Sequence, residues 1–115
     1  MEIKVVEKEI SLAEIKEIAI HQFGDLVKFV IDIEKEIIAI GGDLHADEEA
    51  ILIQSGSEQK DLWGINFYPE KEKIGKIEFD SVINLRPSSG NRSRDVEDPK
   101  IREKIVNIVD KLVVK

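Results

Sequence analysis

Apolar positions recur along this chain in two rhythms, one of about 3.6 residues and one of two, and the switches between them mark its elements. Ile3 to Ile10 alternates and is β-branched, which predicts a strand feeding straight into a helix. Ser11 and Glu14 have capping-box spacing: hydroxyl and carboxylate each satisfy a backbone N–H that the first turn leaves unpaired. Ile10 and Ile15 stand at the staple positions around that cap. Leu12, Ile15, Ile18, Ala19 and Phe23 make the helix stripe, and Gly24 supplies its left-handed stop.

Leu26 to Gly42 carries two β-branched runs around the polar Glu34-Lys35-Glu36 bend and predicts a β-hairpin. Val27, Phe29, Ile31 and Ile33 line one face, while Ile37 to Ile40 is apolar on both, as in a strand covered from both sides. Acids at Asp47, Glu48 and Glu49 suit a helix start, and Gly56 suits its end, so a helix is predicted from about Ala46 to Ser55. Strands follow from Leu62 to Tyr68, stopped by Pro69, and from Ile77 to Arg86. The second has Ile77, Phe79, Ile83 and Leu85 on one side and Glu78, Asp80, Asn84 and Arg86 on the other, with Val82 the one apolar intruder. Asp98 then caps a helix whose first residue is Pro99 and whose stripe is Ile101, Ile105, Ile108, Val109 and Leu112.

This order predicts an α+β fold, a single domain over residues 1–115, with a largely antiparallel sheet of about five strands and helices packed on one face. A chain of 115 residues buries a core without a disulfide or metal staple, and it has no cysteine to form either thiolate site or bridge. That absence fits a reducing, cytoplasmic setting. No apolar run reaches the roughly 20 residues of a membrane span, and the first residues do not read as a secretory signal. A net charge of -7 opposes a phosphate backbone, so nucleic acid is disfavoured as a partner. The bias to Lys, Glu and Ile resembles proteins of hot habitats.

Three of the four arginines fall within RPSSGNRSR, residues 86–94. Guanidinium is a flat fork of donors suited to carboxylate or phosphate, and the prolyl, seryl, glycyl and asparaginyl residues around it predict a tight loop. The candidate ligand-binding set is Arg86, Ser88, Ser89, Gly90, Asn91, Arg92 and Arg94, with Asn84 and Asp80 from the adjoining polar strand face. Gly90 could let successive N–H groups point into one concavity around an anion. The competing reading is an internal ion-pair clamp, because Asp95, Glu97 and Asp98 match Arg86, Arg92 and Arg94 charge for charge.

Asp43, His45 and Asp47 offer hard-metal ligands at alternate positions, which share a face only in an extended segment. A helix from Ala46 scatters them, and no HExxH pair completes the set; Asp80 or Asp32 could join. Gly41-Gly42 lacks the context of a phosphate-cradling motif, and four acids follow it. Of the two histidines only His45 is free to serve a nucleophilic serine such as Ser81, Ser88, Ser89 or Ser93. Trp63 and Phe67 share a strand face and read as core anchors, with base or sugar stacking as the alternative.

The segments GGDLHADEEAIL, DLWGINFYPE and INLRPSSGNRSRDVEDP resemble a family of small prokaryotic proteins known as a domain of unknown function. The resemblance covers most of the chain and implies no catalytic or binding role for any position. The functional expectation is therefore chemical: a domain that binds a small anionic ligand at the arginine loop. The alternatives are a metal-dependent hydrolase using Asp43, His45 and Asp80, and a homodimer, a homo-oligomer with the loop at its interface. The cofactor is unknown, and the sequence names no reaction.

Overall fold

A computed structural model of the chain describes residues 2–115. Its elements in order are Lys4–Val6 (β1), Ile10–Ser11 (β2), Leu12–His21 (α1), Val27–Asp32 (β3) and Ile37–Ile40 (β4). His45–Gln54 (α2), Leu62–Phe67 (β5), Ile77–Glu78 (β6), Pro99–Leu112 (α3) and Val113–Val114 (β7) complete them. Five strands form one antiparallel sheet in the order β1-β4-β3-β5-β6, while β2 and β7 make a small parallel pair. The architecture is α+β, built on the β3–β4 hairpin, with β1 from earlier in the chain against β4 and β5 from later in the chain against β3.

The caps act as their residue types dictate. Ser11 Oγ accepts from the Glu14 N–H at 3.1 Å and Asp98 Oδ1 from the Lys100 N–H at 2.9 Å, so α1 and α3 start where the sequence marks them. Glu14 does not close the reciprocal half of the box; its carboxylate pairs with Lys4 Nζ at 2.6 Å instead. Phe23 lies beyond the last turn of α1, partly exposed, with Lys28 Nζ 5.2 Å from its ring centre, so it is not part of the buried stripe.

Alternation along β3 and β5 divides the core between two faces. Phe29, Ile31, Ile65 and Phe67 pack with Ile15 and Ile18 of α1 and Ile105, Ile108 and Val109 of α3. Phe29 and Phe67 stack at 4.9 Å, and Trp63 joins the same cluster, so the aromatic pair on β5 is core. On the opposite face Val30, Ala39 and Leu62 pack against Leu52 of α2. The expectation of helices on one face is thus corrected: α1 and α3 cover one side and α2 the other. The cause was visible in β4, whose two apolar faces each need a cover.

The strand expected from Ile77 to Arg86 is also corrected. β6 ends after two residues, the chain turns through a single 3₁₀ turn at Val82–Asn84, and a second follows at Pro87–Ser89. The polar strand face of Glu78, Asp80, Asn84 and Arg86 therefore does not exist as a strand face, although these residues stay close to β5.

Candidate functional site

β6 covers only Asn66 and Phe67 of β5, which leaves the backbone of residues 60–64 on that edge without a strand partner. A buried peptide edge must be satisfied some other way. Side chains do it. Asn84, fully buried, accepts from the Gly64 N–H through Oδ1 at 2.8 Å and donates Nδ2 to the Gly64 carbonyl at 2.9 Å and the Arg94 carbonyl at 3.0 Å. Its amide takes the place of a neighbouring peptide. Arg86 continues the same closure two residues on: Nη2 donates to the Leu62 carbonyl, Nη1 to Lys60 at 3.3 Å and Nε to Ile83 at 3.2 Å.

The edge admits no side chain at position 64. A Cβ on Gly64 would stand 2.6 Å from Ser81 Oγ, 2.7 Å from Ser81 Cβ and 3.1 Å from His45 Cδ2. Gly64→Ala is therefore expected to cost about 1–3 kcal/mol by overpacking. Combining it with Ser81→Gly should recover part of the loss in a denaturant melt; no recovery would place the strain elsewhere.

The loop beyond Arg86 is tied to itself. Asn91, buried, donates Nδ2 to the carbonyls of Asn84 and Asp95 at 2.7 Å each and accepts from the Glu97 N–H at 2.9 Å. The N–H groups of Ser89, Gly90 and Asn91 go to the carbonyls of Arg86 and Pro87, so they form no open cradle for an anion. The charge pairing differs from the one neighbourhood suggests. Arg94 binds Asp80 at 2.7 Å, Asp95 binds Arg102, Glu97 accepts from Ser93 Oγ at 2.6 Å and the Arg92 N–H at 3.1 Å, and Asp98 caps α3.

Arg86 is the arginine of the loop that the fold draws inward. Arg86 is half-buried with its guanidinium 4.4 Å from the Trp63 ring centre, and it makes no ion pair among the described residues. Burial lowers its pKa, while the more distant charges of Glu49 and Asp61 oppose that shift. A guanidinium has five N–H donors and three are used on carbonyls, which leaves one on each terminal nitrogen. Arg86 lies on a cleft of about 340 Å³ together with Lys60, Trp63, Ser89, Gly90 and Asn91, facing Glu97, Asp98 and Ile101 at the start of α3.

Of the residues expected at an anion site, Arg86, Ser89, Gly90 and Asn91 line this cleft. Asn84 is sealed beneath it, Asp80 and Arg94 pair with each other outside it, and Ser88 and Arg92 are exposed away from its lining. Lys60, Glu97 and Asp98 belong to the cleft and were missed as site residues. Lys60 arrives from a loop 26 residues earlier in the chain, which no local spacing reveals.

The second candidate set disperses. Asp43 and Asp47 are exposed, whereas His45 is buried and its Nε2–H donates to the Ile65 carbonyl at 2.7 Å. Among the described residues no three His, Cys, Asp or Glu side chains are placed to hold a metal ion. Burial lowers the His45 pKa to about 4, against the opposing hydrogen bond to Ile65, so the ring is neutral near pH 7. Behind it Glu48, fully buried, accepts from the Gly42 N–H at 2.9 Å, and its second oxygen has no partner. A Cβ on Gly42 would lie 2.8 Å from Glu48 Cγ, so the second glycine of the pair is there for this side chain. Sequence alone does not separate Glu48 from the dipole acids beside it.

No helix among the described residues is long and apolar enough to cross a membrane. No curated protein and no solved structure matches the chain. A family model described as a protein of unknown function, DUF5674, matches residues 4–112, a span that includes the closed β5 edge, the arginine loop and all three helices. The chain belongs to the DUF5674 family.

Proposed function

We propose that this domain binds a small anionic ligand, carboxylate- or phosphate-bearing, in the cleft between the arginine loop and the start of α3. The observation that carries the reading is Arg86: a half-buried guanidinium whose bonded partners are all neutral carbonyls, with no carboxylate in ion-pair contact among the described residues. Desolvating a cation with no counter-charge in contact is costly, and an arriving carboxylate or phosphate would offset that cost through the two remaining N–H groups. Lys60 adds charge at the rim and Ser89 a hydroxyl, while Trp63 and Ile101 offer apolar wall. Glu97 and Asp98 stand on the far side, so a ligand with a donor or ammonium at its other end fits better than bare phosphate.

Thermal melts with inorganic phosphate, malonate and β-alanine test this. At least one probe should raise the melting temperature saturably, with about 2–3 kcal/mol of added stability at a hundredfold excess over Kd. Ser89→Glu places a carboxylate at the exposed rim and should abolish the rise while leaving the ligand-free melt nearly unchanged. No saturable rise with any probe, or a rise that survives Ser89→Glu, rejects the site.

A further inference from the structure

The other end of α3 carries a groove of different chemistry. Its main recess, about 460 Å³, has a floor of Leu12, Phe67, Val109 and Val113. A second recess of about 220 Å³ shares Phe67 and Val109 and extends the apolar floor to Phe79 and Val106. The first volume alone lies in the range of small-molecule sites.

Around that floor stand Lys71, Lys73, Lys76 and Lys115, against two acids, Glu72 and Asp110. In a chain of net charge -7 this is a local reversal of sign. None of the four lysines forms an ion pair among the described residues. Two are positioned without a carboxylate: Lys71 Nζ sits 4.1 Å from the Tyr68 ring centre, and Lys76 Nζ donates to the Lys71 carbonyl at 3.1 Å while 5.8 Å from the Phe67 ring centre. The Phe67 face and a carbonyl hold the Lys76 ammonium over the apolar floor, while the Tyr68 ring holds that of Lys71 beside it, each with its charge left for another partner.

We propose that this groove is a second binding site, for a single-chain amphipathic anion: an apolar tail on the Phe67–Val109 floor and an anionic head among Lys71, Lys73 and Lys76. Charge complementarity selects this occupant, since a neutral apolar molecule leaves the lysines unused and a tailless anion leaves the floor unused. The site is separate from the Arg86 cleft and stands or falls without it.

Decanoate, kept below its micellar concentration, is the probe, followed by amide NMR and calorimetry on the full chain. Saturable shifts at Val106, Val109 and Val113 are expected, with decanol and acetate binding at least about tenfold more weakly. Lys71→Glu/Lys73→Glu, both on exposed positions, should weaken decanoate about tenfold or more with little change in melting temperature, whereas Ser89→Glu should leave it unchanged. Equal affinity for decanol, shifts located elsewhere, or binding to phosphatidylglycerol vesicles without binding of monomeric decanoate each overturn the proposal.

Discussion

Asn84→Ala is expected to lower the stability of this protein by about 3 kcal/mol, enough to shift its melting temperature by about 10–15 °C. The substitution removes no charge and little volume. It strips partners from two backbone groups, the N–H and C=O of Gly64, at a point where β5 has no neighbouring strand, and removes one of two donors from the C=O of Arg94, which keeps the Ser81 N–H at 3.0 Å. Each buried group left unpaired costs roughly 1–3 kcal/mol, moderated where water can enter. Asn84→Asp separates this account from simple packing. It keeps volume and one acceptor but sets a second carboxylate oxygen against the carbonyls of Gly64 and Arg94, so it should be at least as damaging at pH 7 and partly relieved in acid. A loss below about 0.5 kcal/mol for Asn84→Ala, within the range of an ordinary surface change, would show that the amide closure contributes nothing.

Glu48→Gln should stabilise the protein at alkaline pH and change the shape of its pH profile. Burial raises the Glu48 pKa from 4.5 to about 9, with the Gly42 N–H and the Lys28 charge opposing and Asp47 reinforcing. Between those values the folded state holds a proton that the unfolded state has released, so stability falls as pH rises, at up to about 1.4 kcal/mol per pH unit. His45 has the opposite sign. Its folded pKa, about 4, lies below the ordinary 6.5, so the unfolded state binds the extra proton and stability rises across that window. The two slopes oppose each other from about pH 4.5 to 6.5, and Glu48 acts alone from there to about pH 9. Urea midpoints should therefore be flat in the lower window and decline in the upper one. In Glu48→Gln the decline should vanish and the rise due to His45 should emerge. A decline that persists in the variant assigns it to another group.

The elements legible in the sequence are those whose ends and faces are set locally. Ser11 and Asp98-Pro99 start their helices through bonds to residues two or three positions on, and the β-branched runs of β3, β4 and β5 need no distant information to be recognised. The stretch from Ile77 to Arg86 misleads for a physical reason. Its polar residues do alternate, but Asn84 and Arg86 use their side chains to satisfy β5, the task that a strand backbone performs elsewhere. Alternation records which edge they face and not the backbone conformation. Placement of α2 on the second face was implied by the double-sided apolarity of β4, yet helix and sheet patterns do not say which helix covers which side.

For the arginine loop, composition identified the region but not its wiring. Counting neighbouring charges matches Arg94 with the acids that follow it, whereas it binds Asp80, 14 residues earlier, and Asp95 is taken by Arg102 from α3. Those pairings come from the fold, and they leave Arg86 unmatched. The two exposed arginines are the ones a sequence reading would mutate first. The half-buried one makes its bonds to neutral carbonyls alone.

Side-chain ¹⁵N NMR of the arginines during a malonate titration addresses that claim directly. The Arg86 Nε signal and the backbone amides of Ser89 and Gly90 should move together and saturate, the Arg92 signal should stay in place, and Ser89→Glu should remove the response. Movement confined to Arg92 and Arg94, linear in malonate and without saturation, would contradict the account and leave Arg86 as a structural brace on the edge of β5.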